Sequence, residues 1–377
     1  MHDAPRDAGP LAHATLHRGA DRGPDIEALL AVGAERVGLG GVLADLDRTG
    51  QVATGRLNAL TPVAYAFTWQ AQDRASLRWW PQGITTSADA VADLDRDGDA
   101  EDPPVLITSA YAKTVRGVAQ GSRISVVDLS DPARPRYRHV LLVDVRRDSA
   151  HGGTGAPVLR PVRAHAGGIV WHGPWLHVAA TGRGFWTFRL DDLLRVDPLP
   201  DRDRLGAGPE GIATFGHPYL LPVRFGHASR TAQGGEPLRF SFLSRSHGAG
   251  PAELLAGEYG HGAMSTRLWH YGLDPSTSLL AADPDGVIRP RLSTVAGVPR
   301  MQGAVVAQGR LHVTTSRGRL RRGSLWVERD GVLEERQYAT PPGPEDVAYW
   351  PARDQLWSLS EHPHSRYVFA LDRRRFD

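Results

Sequence analysis

The sequence lacks cysteine and has almost no lysine. Among its 377 residues there is no Cys, and Lys113 is the one lysine. Disulfide bonds, thiolate metal sites and cysteine nucleophiles are therefore excluded, and stability has to come from the hydrophobic core. The 44 Lys and Arg residues nearly balance the 42 Asp and Glu residues. A net charge of +2 gives no field that would collect nucleic acid or an anionic membrane, so neither is expected as a partner.

Long apolar segments and nucleotide-binding motifs are also missing. No segment approaches the roughly 18 apolar residues of a membrane-spanning helix, so no membrane insertion is expected. The N-terminus has no apolar signal segment, which predicts a cytoplasmic protein as written; a secreted protein is the alternative if a signal peptide has been removed. There is no P-loop, no glycine-rich turn between a strand and a helix, and no Gly-x-Ser-x-Gly elbow. Nucleotide cofactors are therefore not expected.

The N-terminal region divides into a tail and a helix. Residues 1–24 mix Asp, Arg, Gly, Pro and His without periodicity, which predicts a flexible tail. Residues 25–37 begin with an Asp cap and place Ile26, Leu29, Leu30 and Val37 on one face. This spacing predicts a short amphipathic helix. We expect residues 25–377 to form a single domain.

The rest of the chain predicts an all-β fold. Runs of five to eight residues alternate apolar with polar side chains and stop at Gly, Pro or Asp clusters, as antiparallel strands do. Four similar segments place a polar and a small residue before an apolar strand: PQGITTS from Pro81, HAGGIVWHG from His165, MQGAVVAQG from Met301 and PEDVAYW from Pro344. The last three are followed by a second strand within about a dozen residues, as in a hairpin. Repeated units of this kind predict a β-propeller.

Counting the units gives five blades. The first four span residues 82–145, 167–216, 217–273 and 302–340, and the fifth begins at Glu345. The fifth unit has only three strands before the C-terminus, so a strand near residues 63–70 is expected to close the ring. Segments 191–216 and 274–300 are predicted to be surface loops. Six blades remain an alternative if residues 38–60 form a partial blade.

These segments also carry a family resemblance. RWWPQGITTSADA, HAGGIVWHGPWLHVAATGRGFWTF, RMQGAVVAQGRLHVTTS and PEDVAYWPARDQLWSLSEHP, with the segment from Ala44 to Trp69, resemble an uncharacterised actinobacterial β-propeller-like family. Its members are often described only as secreted proteins. The resemblance covers roughly residues 40–377 and implies a propeller fold, but it implies no activity.

An acidic loop is the main candidate metal site. In ADLDRDGDAEDPP the carboxylates stand at alternate positions around a Gly turn, as in loops that wrap calcium. Pro104 occupies the place of the bidentate Glu of an EF-hand. The segment is therefore either a structural Ca²⁺ site or an acidic, solvated insertion. Its candidate ligands are Asp93, Asp95, Asp97, Asp99 and Glu101.

The turns before the inner strands are the candidate catalytic centre. In a propeller these turns converge at one end of the central channel. His165 can move a proton near neutral pH, and burial can raise the pKa of Glu345 beside Asp346 into the same range. These three residues are the predicted catalytic groups. The alternative is structural, because Gln and His at such turns also bond to backbone groups of the next blade.

Aromatic and amide side chains complete the predicted pocket. Trp79 and Trp80 precede the first turn and Trp350 follows the last, so the indoles are expected to form walls; alternatively they fill the wedges between blades. The predicted substrate-binding residues are Trp79, Trp80, Gln82, Tyr111, Arg183, Gln302 and Trp350.

The favoured function is that of a cofactor-free small-molecule enzyme. It would use acid–base chemistry on a largely apolar or polyol metabolite, as an isomerase, cyclase, lyase or hydrolase. The alternatives are a glycan- or ligand-binding propeller that moves no proton and a scaffold for another protein. A small molecule is the expected partner, and a monomer the expected state.

Overall fold

The computed structural model describes residues 6–7, 14–58, 61, 63–90, 103–147, 155–248, 250–262 and 264–377. Strands form 51% of the protein and helices 11%, and most strands pair antiparallel. The prediction of a mostly β protein is therefore confirmed. In the part of the chain that the structure describes, no helix is long and apolar enough to cross a bilayer.

Five antiparallel units, named sheets I to V in chain order, make up the body of the protein. Sheets I and II are joined into one larger sheet, because their outer strands pair in parallel. Each of the five begins with an inner strand and ends with an outer one. Sheet I contains Trp79–Thr86, Val105–Ala112, Ser122–Asp128 and Arg136–Arg147. Sheet II contains Ile169–His172, Trp175–Ala179, Phe185–Arg189 and Tyr219–Thr231. Sheet III contains Phe240–Ser246, Glu253–Glu258, Arg267–Gly272 and Leu292–Val295, with Arg6–Asp7 at its edge. Sheet IV contains Met301–Ala307, Arg310–Thr315, Arg322–Arg329 and Val332–Pro342. Sheet V contains Pro344–Trp350, Gln355–Ser360, Tyr367–Asp372, Tyr65–Thr68 and Gln51–Val52.

Short elements surround these sheets. The remaining strands are Ala14–Arg18, Glu35–Arg36, Arg48–Thr49, Pro157–Pro161, Leu194–Arg195, Leu205–Gly208, Gly211–Thr214 and Val287–Ile288. The α-helices are Gly23–Leu30, Gly38–Ala44, Thr54–Asn58, Ala71–Ala75 and Ser87–Ala90. Single 3₁₀ turns lie at Leu190–Asp192, Pro351–Arg353 and Arg373–Arg375.

The inner strands form a closed ring. They contact one another in the cyclic order I, II, III, IV, V and back to I. An apolar cluster lies between each pair of neighbouring sheets, and the cluster between V and I includes Phe67, Ile84 and the fully buried Trp357. Burying a large apolar side chain contributes about 2 kcal/mol. Side chains therefore hold neighbouring sheets face to face, and sheets I and II are also joined by backbone pairing of their outer strands.

The N-terminal part of the chain closes the ring and covers its side. Tyr65–Thr68 pairs antiparallel with Tyr367–Ala370 and thus gives sheet V its fourth strand, within the predicted range 63–70. The helix Gly23–Leu30 buries Ile26 and Leu29 against Leu141 and Leu220, where the outer strands of sheets I and II pair in parallel.

Two N-terminal predictions differ from the structure. The helix predicted over residues 25–37 ends at Leu30, because Gly33 takes a φ of 108° and turns the chain. Part of the predicted flexible tail is instead the strand Ala14–Arg18, which pairs with residues 227–231 of sheet II. Only Ala14 and Leu16 of this five-residue strand are buried. Two buried positions in a segment with polar neighbours are too few to show the period of a strand in the sequence.

Two predicted unit boundaries are wrong for a common reason. Tyr219–Thr231 falls in the predicted third unit but is the outer strand of sheet II, pairing with Phe185–Phe188. Leu292–Val295 lies in a segment predicted to be a loop but is the outer strand of sheet III. Both outer strands are separated from the third strand of their sheet by a long connection, so the order of apolar runs along the chain does not show which unit they complete.

Glycines allow the inner strands to approach closely. A Cβ atom at Gly168 would lie 1.8 Å from the Leu243 nitrogen of sheet III, and one at Gly303 would lie 2.5 Å from the Val347 nitrogen of sheet V. Real Cβ atoms do not approach backbone atoms this closely, so any side chain there would push neighbouring sheets apart. The small residues of the repeated segments are thus a packing requirement of the ring.

Replacing Gly168 with Ala is expected to lower the free energy of unfolding by about 3 kcal/mol or to prevent folding, because the inner strands must separate. Gly40→Ala is the control, since a Cβ there meets nothing within 4 Å and Gly40 lies in the helix Gly38–Ala44. It should be neutral or add about 0.5 kcal/mol. Urea denaturation measures both; equal stabilities of the two variants would contradict the close approach.

Candidate functional site

A cavity of about 340 Å³ lies at one end of the ring of inner strands. Each of the five sheets, or the segment next to its inner strand, contributes at least one lining residue. The lining side chains are polar or ionisable, and none is Lys or Arg. They are Gln82, His165, Thr181, Ser241, Tyr259, Gln302, Glu345 and Glu361.

Four lining residues occupy the same position on their inner strands. Gln82, Ser241, Gln302 and Glu345 each stand one residue before the residue that packs into the ring, which is Gly83, Phe242, Gly303 or Asp346. At each of these places the pairing with the second strand shifts register. Such β-bulges re-aim side chains that regular pairing would direct elsewhere. The bulges therefore direct these four side chains into the same cavity.

The second strands supply the other side chains. An antiparallel partner ends where the inner strand begins, so the last residues of second strands reach the same rim. Tyr111 is the penultimate residue of Val105–Ala112, and Thr181, Tyr259 and Glu361 closely follow the second strands of sheets II, III and V. Sheets II, III and V thus contribute two lining residues each, and sheets I and IV contribute one each.

Two glutamates give the cavity its acidic character. Glu345 is buried at 5% exposure, and burial, with the nearby charges of Glu361 and Asp346, raises its pKa well above the ordinary value. Burial also raises the pKa of Glu361, against the opposing charges of Lys113 and Arg366. The amide nitrogen of Gln82 lies 3.5 Å from an Oε of Glu361. Both carboxyl groups are therefore biased towards the neutral, proton-donating form.

His165 is the basic group of the cavity. Its ring is stacked on Tyr111, with centroids 4.5 Å apart and an interplanar angle of 26°. His165 is exposed to solvent, but nearby protein atoms desolvate its imidazole in part, and this lowers its pKa. Its neighbour Ala166 takes the left-handed φ of 53°, and the Ala166 carbonyl accepts a hydrogen bond from Ser109 Oγ at 2.6 Å. The strained turn and the stacking hold the imidazole in place.

Asp346 lies beneath the cavity and does not line it. Its side chain is fully buried, and Oδ2 accepts hydrogen bonds from the backbone N–H groups of Ile84 at 3.2 Å and Ile169 at 3.4 Å. Burial raises its pKa well above the ordinary value, although these backbone donors oppose the shift. Oδ1 has no hydrogen-bond partner among the described residues. Asp346 thus joins sheet V to sheets I and II, and it lies outside the cavity that His165 and Glu345 line.

A second buried acid lies at the far side of the ring. Asp89 Oδ1 is 2.8 Å from His247 Nε2, and Asp89 Oδ2 accepts hydrogen bonds from the Thr85 hydroxyl and the Thr86 nitrogen. His247 directly follows the inner strand of sheet III. The pair therefore connects sheets I and III and does not line the cavity.

The predicted site residues separate into two groups. His165, Gln82, Gln302 and Glu345 line the cavity, and Tyr111 stacks on its histidine. Arg183 does not line it: the residue is exposed in the loop after the second strand of sheet II, next to the lining residue Thr181.

The tryptophans do not form the predicted walls. Trp79 is buried in sheet I, with Arg123 above its ring at 4.3 Å and His217 at 5.7 Å. Trp350 packs on Trp357 in the wedge between sheets V and I. Large aromatic rings bury much apolar surface when they pack within or between sheets. The indoles of Trp79 and Trp350 are packed in this way and therefore do not line the cavity.

Trp80 lies near the site without lining the cavity. The Lys113 ammonium is 3.3 Å from its ring centroid, the His362 ring is at 6.1 Å, and its indole N–H donates to the Leu77 carbonyl. The Trp80 ring therefore packs against Lys113 and His362, two ionisable side chains close to Glu361.

Sequence reasoning missed Glu361, Tyr259, Ser241 and Thr181. The sequence shows the resemblance of the second strands, and their ends would have pointed to three of these residues. The candidate calcium ligands Asp93, Asp95, Asp97, Asp99 and Glu101 lie outside the described residues. Within the described ranges, no group of three His, Asp or Glu side chains is placed to hold a metal ion.

Comparison with known proteins gives only distant structural likeness. No family model and no curated protein sequence matches the chain. A GH43_1 enzyme from Xanthomonas citri aligns with a TM-score of 0.33 and 12% identity over 80% of this chain and 91% of the enzyme. The same enzyme complexed with xylotriose gives a TM-score of 0.32. A chain of the mitotic checkpoint complex gives a TM-score of 0.29 at 8% identity, over 77% of this chain and 94% of that one. The family resemblance seen in the sequence stays a prediction.

The raised pKa of Asp346 predicts that stability falls with rising pH. The folded protein keeps a proton that the unfolded chain releases above the ordinary Asp pKa, so the free energy of unfolding is greatest below that pKa and declines towards the raised one. Asp346→Asn removes this contribution. The variant should therefore gain stability relative to the wild type as the pH rises from about 4 to about 8, by about 1.4 kcal/mol for each pKa unit that separates the folded from the unfolded state.

Urea denaturation across this pH range measures the difference. Asp330→Asn is the control, because Asp330 is exposed on a turn and its left-handed backbone also suits Asn. Parallel stability–pH curves for the wild type and Asp346→Asn would contradict a buried, protonated Asp346.

Proposed function

We propose that the five sheets are the blades of a β-propeller and that the chain is a cofactor-free acid–base enzyme. Its substrate would be a small, uncharged, hydroxylated molecule bound in the cavity at one end of the ring. The closed order of the inner strands supports the propeller. The presence of an acid and a base in one cavity supports the catalytic role, and this observation carries the proposal.

The two environments favour complementary protonation states. Burial raises the pKa of Glu345 and lowers that of His165, so the two values move towards or past each other. Near neutral pH the imidazole is then unprotonated and accepts a proton, while the carboxyl group retains one to donate. Opposed environments of this kind define acid and base assignments in enzymes.

The reaction follows from these proton states. His165 takes a proton from a substrate hydroxyl, an attacking water or an activated C–H group. Glu345 gives its proton to the oxygen that leaves or gains electrons, and the two groups are restored by proton exchange after the product departs. Hydrolysis, elimination, isomerisation and cyclisation all use this pair of transfers. Gln82, Gln302 and Glu361 supply hydrogen bonds that orient the substrate.

The lining supports the proposed substrate class. No Lys or Arg lines the inner cavity, so an anion placed there would face two carboxyl groups without a counter-charge. Amide, hydroxyl and carboxyl groups suit a molecule with several hydroxyls, and a volume of about 340 Å³ is at the small end of ligand pockets. An uncharged polyol or sugar-like ring fits both conditions.

Glu345→Gln is expected to reduce kcat by about 100-fold or more, because the amide cannot donate the proton. The wild-type rate should fall at high pH, as Glu345 ionises, and at low pH, as His165 becomes protonated. The variant should lose the high-pH limb. NMR assays of a panel of neutral sugar and polyol derivatives would identify a turned-over compound and give these profiles.

Glu210→Gln is the matched control, because Glu210 is exposed in a loop outside the cavity. It should behave as the wild type. Compounds that bind in the cavity with equal affinity to the wild type and Glu345→Gln, but are not turned over by either, would contradict catalysis. Such a result would favour a non-catalytic ligand-binding propeller.

A further inference from the structure

A larger groove opens from the cavity. It has a volume of about 700 Å³ and shares Tyr259, Gln302 and Glu361 with the cavity. A ligand that fills the cavity can therefore continue into the groove between sheets III, IV and V. The combined space exceeds what one small ring requires.

Arg300 is an unpaired cation on the wall of this groove. It is exposed, and no described carboxylate lies within ion-pairing distance of its guanidinium group. Its backbone takes a left-handed φ of 61°, fixed by a hydrogen bond of 2.7 Å from its nitrogen to the Gly260 carbonyl. A non-glycine residue in this conformation is strained by about 1 kcal/mol, and the hydrogen bond holds the backbone from which the Arg300 side chain extends.

The remaining charges leave the groove positive. Glu335 is neutralised by Arg317, whose Nη2 donates to Oε1 at 2.5 Å. The other acid, Glu361, is biased towards its neutral form by burial. The pKa of His362, also on the wall, is lowered by burial and then by the charges of Arg319, Arg366 and Lys113.

We propose that the groove binds an anionic group, a carboxylate or a phosphate, of a ligand whose uncharged part occupies the cavity, and that Arg300 is its main partner. This inference rests on the proposed function for the identity of the cavity ligand. It extends the substrate class from a neutral ring to a ring that carries an anionic substituent. Arg binds such groups through paired N–H donors, which fixes their orientation.

The test uses simple anions and needs no turnover. The thermal midpoint of the full-length protein is measured with increasing inorganic phosphate, with acetate, and with chloride at matched ionic strength. A ligand that binds only the folded state raises the midpoint in proportion to its saturation. Phosphate or acetate should stabilise the wild type more than chloride does, and the stronger of the two identifies the preferred group.

Arg300→Ala should weaken the apparent affinity for that anion about tenfold or more, through the lost charge-assisted hydrogen bonds. Arg321→Ala is the matched control, because Arg321 is also exposed but does not line the groove. It should keep the wild-type response. No anion-specific shift in the wild type, or equal responses of all three proteins, would overturn the proposal. The Glu345→Gln assay judges the catalytic proposal separately, since it uses neutral compounds.

Discussion

The Asp346 carboxyl group is the interaction on which the site depends. It accepts hydrogen bonds from the backbone of Ile84 in sheet I and Ile169 in sheet II. These two strands lie close together because Gly83 has no side chain: a Cβ atom there would lie 3.0 Å from the Ile169 nitrogen. Three of the five sheets are thus fixed to one atom. Neighbouring residues of a strand point in different directions, so anchoring Asp346 inward helps to aim Glu345 at the cavity. The position of the proposed acid is a consequence of how the ring closes.

This arrangement carries a cost in stability. Burying two adjacent carboxyl groups is unfavourable unless they remain protonated, which is why burial raises the pKa of both. A fold selected for stability alone would place Gln and Asn or apolar residues at these positions, as sheet IV does with Gln302 and Gly303. The acids stand at one of the four equivalent positions, and Glu345 there is the proposed proton donor of the cavity.

The sequence was sufficient for the ring and for half of the site, because both depend on local patterns. A polar residue, a small residue and an apolar run recur at Gln82, Gln302 and Glu345, and the structure places these side chains in one cavity. Outer strands such as Leu292–Val295 were missed because half-exposed residues have weak periodicity. Trp350 and Trp79 were misplaced because a composition rich in indole does not say whether the rings face a wedge or a cavity. Glu361 directly follows the second strand of the hairpin that begins at Pro344, and the antiparallel pairing of Pro344 with Ser360 brings it close to Glu345.

The central claim is that Glu345 holds a proton near neutral pH in the same cavity as the neutral imidazole of His165. Infrared difference spectroscopy of the wild type against Glu345→Gln reads this state directly, since protonated and ionised carboxyl groups absorb in separate bands. At pH 7 we expect a protonated-carboxyl band that shifts in D₂O and is absent from the variant. A difference spectrum that contains only carboxylate bands would show Glu345 ionised and would contradict the proposed acid.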